Sequence, residues 1–474
     1  MKIKVLMGLL FFCSLPIMAK IVFPSVISDN MVLQQNATVN LWGKANPNVE
    51  ITIIPSWEKI EYKSKVDEFG RWLLKIDTPS AGGPYEIIFN DGEKKVLRNI
   101  LIGEVWFCSG QSNMAMPMKG FVGQPVEGAN DYIAQAKKSV PIRMFTSANR
   151  YGRTPLEDCI GVWSEHTPEG VADCSAVAYF YAKYLQKVLE VPIGLVISSW
   201  SGSKIEAWMS KEALQVFPEF ELSFLDSDMK TELPVNQTPC YLYYGKICPL
   251  TNYTIKGAIW YQGESNLDNR PLYKRLFPAF VRDLRKSFQQ GDFPFYYTQI
   301  APFAYYDNPD LTSGAEMREV QLKCMDSIPN SGMAVTLDIG DSGCIHPARK
   351  KEVGYRLAYW ALAKTYNKSA IAYEGPVYQS LTVKNGKALL TFKNSVAKGV
   401  GPINKKLEGF EIAGKKRKFY PANAFADVRS GKVVVYCDSV PEPMAVRYAF
   451  KNYTEASLFN ELGLPASSFR TDNW

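Results

Sequence analysis

Histidine is scarce in this chain: its 474 residues contain only two, His166 and His346. A centre built from several imidazoles therefore has no material to work with. The cysteines do not make up for this. Cys13, Cys108, Cys159, Cys174, Cys240, Cys248, Cys324, Cys344 and Cys437 show none of the short paired spacings that hold zinc, so no metal site is expected. Beyond the amino terminus no run is apolar for long enough to span a bilayer. Internal repeats and low-complexity tracts are also missing, which excludes solenoids and disordered arrays. The net charge of +7 is dispersed. Its one dense basic cluster, Lys415-Lys416-Arg417-Lys418, follows Gly414 between strand-like runs and reads as a solvated hairpin, not a nucleic-acid contact.

What is present begins with a leader. Lys2 and Lys4 supply a positive end, Val5 to Met18 is apolar, and Ile17-Met18-Ala19 offers a small residue before a cut. Residues 1–19 thus read as a secretory signal, and the mature protein is expected in the periplasm or outside the cell, with no transmembrane span. The other eight cysteines could pair in such a compartment, but Cys108 and Cys437 in apolar strands and Cys324 in a helical pattern serve equally well as small buried hydrophobes.

Three sections follow the leader. Residues 20–100 are short alternating runs, such as 37–43, 49–54, 72–76 and 85–89, with no helical stripe; they predict an all-β module, a small sandwich. Residues 101–367 alternate between the two periods. Buried strands at 193–198, 257–261, 295–300 and 333–337 are separated by helical patterns at 176–188, 272–288 and 316–325, and another helix follows at 348–366. Such alternation predicts an α/β core: a parallel sheet covered by helices on both faces. From 368 to 474 the short β runs return.

The strand ends carry the chemistry. Ile102 to Cys108 is an apolar run that leads into Gly110-Gln111-Ser112-Asn113-Met114, so a hydroxyl emerges at the carboxyl edge of a sheet, where α/β hydrolases present a nucleophile. A serine nucleophile needs a base. His346 lies in Asp338-Ile339-Gly340-Asp341-Ser342-Gly343-Cys344-Ile345-His346-Pro347, a polar loop after another strand, whereas His166, in Trp163-Ser164-Glu165-His166-Thr167-Pro168, reads as an exposed loop residue. Two more strand ends, Ser198-Ser199-Trp200-Ser201-Gly202-Ser203 and Gln262-Gly263-Glu264-Ser265-Asn266, offer a glycine amide and side-chain carboxamides as donors to a tetrahedral oxyanion.

Read together, these blocks resemble the sialate O-acetylesterases of the SGNH hydrolase superfamily. Gly103-Glu104-Val105-Trp106-Phe107-Cys108-Ser109-Gly110-Gln111-Ser112-Asn113-Met114, then Pro192-Ile193-Gly194 leading to Ile205-Glu206-Ala207-Trp208, then Trp260-Tyr261-Gln262-Gly263-Glu264-Ser265-Asn266, then Ile345-His346-Pro347 stand in the family's order. Ser28-Asp29-Asn30-Met31-Val32-Leu33-Gln34, Ala445-Val446-Arg447-Tyr448 and Gly463-Leu464-Pro465-Ala466-Ser467 extend the likeness over nearly the whole mature chain. The resemblance implies a flavodoxin-like, three-layer hydrolase core with accessory β-rich regions and no cofactor. It implies Ser112 as nucleophile and His346 as base, with the amides of Ser112 and Gly202 and the carboxamide of Gln262 or Asn266 around the oxyanion. The expected substrate is an O-acetylated glycan, foremost the O-acetyl esters of sialic acids. Acetylated xylan or another glycan is the nearest alternative, and a noncatalytic carbohydrate-binding protein is the alternative of another class.

Two positions depart from the family pattern. Ser201 precedes Gly202 where two glycines are usual, and Gly343 and Cys344 stand where an acid is expected before the histidine. Either Asp341 or Asp338 reaches the imidazole from farther back, or a backbone carbonyl orients His346 and the site is a Ser-His dyad, and the dyad is the favoured expectation. Ser342, in Gly340-Asp341-Ser342-Gly343, is a decoy, since it shares a loop with its only base. Glu264 has no evident partner carboxylate for glycosidase chemistry and is expected to hold the loop or the histidine. A sialate carboxylate calls for an arginine or equivalent donors, and Arg153, Arg270 and Arg349 all lie near the motifs.

Overall fold

A computed structural model describes residues 20–227, 231–306, 311–393, 407–427 and 429–474; the leader expected at 1–19 lies outside them. The central sheet is built from β1 (Lys94–Gly110), β2 (Ile142–Ser147), β3 (Gly161–Glu165), β4 (Ile193–Ser199), β5 (Gly257–Tyr261), β6 (Phe295–Thr298) and β7 (Ser331–Ala334), in the spatial order β7-β6-β5-β1-β4-β2-β3. All neighbours are parallel except β3, which returns antiparallel to β2. The sheet is mixed rather than purely parallel.

Alternation along β1 explains the layering. Val105 and Phe107 belong to one hydrophobic core and Trp106 and Cys108 to another, because successive side chains of a strand point to opposite faces. The first face is covered by α3 (Arg270–Phe288) and α4 (Ser313–Cys324), through residues such as Leu276, Phe277, Phe280 and Met317. The second is covered by α2 (Ala176–Leu189) and α5 (Lys350–Trp360), through Val177, Phe180, Val353 and Leu357. Ser175 caps α2 by accepting a hydrogen bond from the Ala178 amide at 3.2 Å, and the helix stops at Glu190, which takes a left-handed φ of 57° shortly before Pro192.

The expected boundary at residue 100 does not separate two bodies, because β1 runs through it. Its first half pairs antiparallel with Gly82–Asn90, and Leu101 to Gly103 pair in parallel with Val32–Gln34. Glu50–Pro55 and Tyr62–Lys65 continue this sheet, while Thr38–Lys44 and Arg71–Asp77 form a separate two-stranded layer. The sequence reading missed the continuity because Asn99, with a positive φ of 57°, sits mid-strand, where asparagine normally signals a turn.

The carboxyl-terminal section forms two four-stranded sheets, and the basic cluster occupies the turn between Phe410–Ala413 and Phe419–Pro421. This section is fastened to the core by Arg318 of α4. Its guanidinium, fully buried, donates to the carbonyls of Asn452 (3.2 Å), Ala449 (3.4 Å) and Lys451 (2.5 Å) and to Ser468 Oγ (3.0 Å). No disulfide forms among the described cysteines, and Cys108, Cys159, Cys174, Cys240 and Cys324 are buried.

Candidate active site

Three parallel strands finish level with one another. Ser199 of β4 and Tyr261 of β5 both stand opposite Gly110, the last residue of β1. The turn beyond is pinned on both sides, by the Gln111 amide donating to the Tyr261 carbonyl (2.9 Å) and the Trp200 amide donating to the Gly110 carbonyl (3.0 Å). Gly110 has a φ of 143°, and a Cβ there would stand 2.2 Å from the Tyr261 carbonyl oxygen. Only glycine fits so close an approach. Ser112 follows at the start of α1 (Ser112–Ala115), a single helical turn, and is buried at 8% exposure.

His346 reaches the same edge from the loop after β7, and Asn113 joins the two. Its Nδ2 donates to the Ile345 carbonyl at 3.1 Å and to Glu264 Oε1 at 2.6 Å, while its Oδ1 accepts from Lys350 Nζ. The residue after the serine is thereby bonded to the residue before the histidine. Glu264 and Lys350 are buried, so each is pushed toward its neutral form. Burial raises the Glu264 carboxyl, opposed by the Asn113 hydrogen bond and by Lys350. It lowers the Lys350 ammonium to about 7, opposed by Glu264 and Cys344. Glu264 bonds to Asn113, beside Ser112, and among the described residues makes no bond to His346. The imidazole of His346 is lowered to about 4, by burial first and by the Lys350 charge second, so at neutral pH it is the unprotonated species a general base must be.

The Nδ1 of His346 meets neither expected acid and, among the described residues, no backbone carbonyl. It lies 2.7 Å from Oε1 of Gln124, and the ring edge packs on Phe121 with centroids 5.3 Å apart. Asp341 instead turns back on its own loop, where Oδ1 accepts from the amides of Gly343 (2.8 Å) and Cys344 (3.2 Å). Asp338 forms a two-pronged pair with Arg356 at 2.6 and 2.7 Å. Gln124 escaped sequence reading because it belongs to no motif and lies far from His346 along the chain.

The donor side is also rearranged. Among the described residues no acceptor engages the backbone N–H of Ser112 or of Gly202. The Ser201-Gly202 turn is held from behind, with Asn236 Nδ2 donating to the Ser201 carbonyl at 2.7 Å and Gln237 Nε2 to the Gly202 carbonyl at 3.4 Å. Gln262 has no N–H left over. Its Nε2 donates to the Ser203 carbonyl (3.1 Å) and to Asn266 Oδ1 (2.7 Å), and its buried Oε1 has no partner among the described residues. Asn266 gives one N–H to Glu206 Oε2 (2.8 Å), accepts from the Ile205 amide (2.9 Å) and keeps its second N–H.

The remaining candidates take other places. His166 is buried at 2% exposure, not exposed as expected, with Nε2 3.2 Å from the Tyr179 hydroxyl and Nδ1 against the Lys137 backbone, and its burial lowers its basicity. Ser342 is exposed and lines an open hollow of about 530 Å³ with Phe303, Ala304, Tyr305, Tyr306 and Gly343. All three arginines are engaged internally. Arg153 donates to the carbonyls of Phe224 and Ser227, Arg270 pairs with Glu316 (2.9 Å), and Arg349 donates to Glu352 (3.0 Å) and the Asp338 carbonyl (3.1 Å). Among the described residues no group of three histidine, cysteine, aspartate or glutamate side chains is placed to hold a metal ion, and no helix is long and apolar enough to cross a membrane.

Comparison with known proteins agrees with this architecture. Residues 102–362 match the family described as carbohydrate esterase, sialic acid-specific acetylesterase. The sialate O-acetylesterase of Homo sapiens is 30% identical over 78% of this chain and 75% of its own length, and that of Pongo abelii 29% identical over 94% and 92%. Among solved structures, a carbohydrate acetylesterase from Xanthomonas citri superposes with a TM-score of 0.86 at 33% identity, covering 96% of this chain and all of that one.

Proposed function

The chain belongs to the sialic acid-specific acetylesterase family of carbohydrate esterases and is a carboxylic-ester hydrolase, and on that footing we propose that it is an exported SGNH-type enzyme that removes O-acetyl groups from sialic acids. Ser112 is the nucleophile and His346 the general base. The observation that carries this is the bond from Asn113 to the Ile345 carbonyl, which links the loop bearing a neutral imidazole to the turn bearing the hydroxyl.

The chemistry needs no cofactor. Ser112 Oγ attacks the acetyl carbonyl as Nε2 of His346 takes its proton, and negative charge collects on the former carbonyl oxygen. The unengaged amides of Ser112 and Gly202 serve that oxygen, with the second N–H of Asn266 as the side-chain donor. Each such donor is worth about 3 kcal/mol in the transition state. The imidazolium then protonates the departing sugar oxygen, and water activated by the same histidine releases acetate from the acetyl-enzyme.

A second reading, an acetylesterase for neutral glycans such as xylan, is favoured by the arginines. None of Arg153, Arg270 and Arg349 retains an unengaged fork for a sialate carboxylate, while aromatic residues line the hollow beside Ser342 and Gly343. Acetate release from matched panels of acetylated sialosides and xylo-oligosaccharides separates the two. Faster turnover of xylo-oligosaccharides would overturn the sialate assignment, and a Ser112→Ala variant that keeps its activity would overturn the nucleophile.

A further inference from the structure

We infer that Gln124 is the residue that orients His346 for proton transfer, a neutral carboxamide occupying the place of the missing acid. This rests on His346 being the base. The contact between Gln124 Oε1 and His346 Nδ1, at 2.7 Å, has the length of a well-formed hydrogen bond. With a carbonyl oxygen facing it, Nδ1 is the protonated ring nitrogen, and the lone pair is left on Nε2.

The surrounding backbone holds that carboxamide in place. Phe121 and Gln124 exchange reciprocal amide-to-carbonyl hydrogen bonds of 3.0 and 2.9 Å, closing a tight turn. Gly120 and Gly123 take left-handed φ values of 80° and 72°, and a Cβ on Gly120 would stand 2.5 Å from the Gln124 carbonyl oxygen. The turn is tethered at both ends: the Met118 and Lys119 amides donate to the Cys174 and Ala172 carbonyls at 2.8 and 3.0 Å, and the Glu127 amide donates to the Ala348 carbonyl at 2.9 Å. That last bond ties the segment carrying Gln124 to the segment carrying His346. Phe121, from the same turn, packs against the ring, so one short loop supplies both the wall and the hydrogen-bond acceptor for the imidazole.

The carboxylates that could compete are held elsewhere. Asp341 accepts from two amides of its own loop, Asp338 is paired with Arg356, and Glu264 bonds to Asn113. Of the charged and titratable groups around the ring, Lys350 acts on it directly, Glu264 and Cys344 act on Lys350, and Asp341 stands farther back on the same loop. A carboxamide in this place fixes the tautomer but adds no negative charge. The proton lifted from Ser112 Oγ therefore reaches Nε2 with a dipole behind it, Nδ1 keeps its own proton throughout, and the proton on Nε2 later leaves with the sugar oxygen.

The test compares three variants in the full-length enzyme, with hydrolysis of a chromogenic acetyl ester followed across pH and folding checked by thermal melts. In Gln124→Met, close in shape but without the acceptor, kcat is expected to fall on the order of 100-fold with KM nearly unchanged. In Gln124→Glu activity is retained, and the acid limb of kcat/KM moves up by roughly one pH unit or more, because the added charge favours the imidazolium. A merely structural glutamine would not move that limb. Activity of Gln124→Met within about twofold of the parent, or an unmoved limb in an active Gln124→Glu, overturns the inference. An inactive but folded Gln124→Glu also overturns it, since it would mean that the amide nitrogen, not the oxygen, faces Nδ1. His346→Ala separates the two levels: a variant that stays active overturns the base itself, whereas a dead His346→Ala beside an unaffected Gln124→Met removes only the role of Gln124.

Discussion

Asn113 Nδ2 donates to the carbonyl of Ile345 at 3.1 Å, so the side chain next to the serine holds the backbone next to the histidine. The same carboxamide separates a buried carboxyl from a buried ammonium, Glu264 on one side and Lys350 on the other. Replacing Asn113 by leucine leaves both groups without their shared partner. We expect a stability loss of about 3 kcal/mol or more and a disproportionate fall in kcat, read by denaturant melts and steady-state kinetics. A folded Asn113→Leu enzyme with parental kcat would show that the link to Ile345 does not matter for turnover.

The pH profile follows from the imidazole. His346 is lowered to about 4 and, in the role proposed for it, acts as a base only when neutral, so kcat/KM should rise through about pH 4 and stay level from about pH 5.5 up to neutrality. Stability carries the same sign. Between the folded value and the ordinary histidine value near 6.5 the unfolded chain binds more protons, so this residue makes stability fall as pH drops through that window. An acid limb centred near 6.5 in the rate profile would contradict the burial argument.

Two glycines at neighbouring strand ends should respond differently to alanine. At Gly110 a Cβ meets the Tyr261 carbonyl oxygen at 2.2 Å, and the cost is expected to exceed about 3 kcal/mol, seen as loss of folded protein. At Gly202 φ is 68° and the nearest atom is Asn236 Nδ2 at 3.2 Å, the end of a side chain that can shift. Gly202→Ala keeps its N–H, so a loss of about 1 kcal/mol and a kcat within about tenfold of the parent are expected. Equal damage at both positions, measured by melts and kinetics, would refute the contrast.

Arg318 makes a third case. Truncating it to alanine strips the Asn452, Ala449 and Lys451 carbonyls and the Ser468 hydroxyl of a buried donor at once. We expect at least about 3 kcal/mol of destabilisation and earlier proteolytic release of the carboxyl-terminal section than of the core. Cleavage that begins in the core would place the weak point elsewhere.

How much of this was legible in the sequence depended on the range of each signal. Periodicity is local, so the helices at 176–189 and 270–288 and the strands at 193–199 and 257–261 could be read within a residue or two. The proposed nucleophile, Ser112, is marked in the sequence by an apolar strand that ends in a glycine turn, and the proposed base, His346, by the scarcity of histidine. The family pattern places an acid two or three residues before the histidine, where this chain has Gly343 and Cys344, and Asp341 farther back accepts from the amides of those two residues. Gln124 has no such signal. A glutamine in a glycine-flanked turn has the chemistry of any exposed loop, and only the three-dimensional chain path brings it to Nδ1. Gln262 and Asn266 were read as donors from their chemical type, but donor capacity depends on what else each amide already holds, and that is set by packing with Ser203 and Glu206.

The strand Lys94–Gly110 has a further consequence for heredity and engineering. Its front half is a rib of the amino-terminal β module, and its back half ends two residues short of the serine, so no cut point between them leaves both parts whole. A gene fragment opening at residue 101 would encode a hydrolase whose middle strand starts halfway along. Exchanging the amino-terminal strands therefore means cutting a strand that also pairs with Ile193–Ser199 and Gly257–Tyr261 in the central sheet.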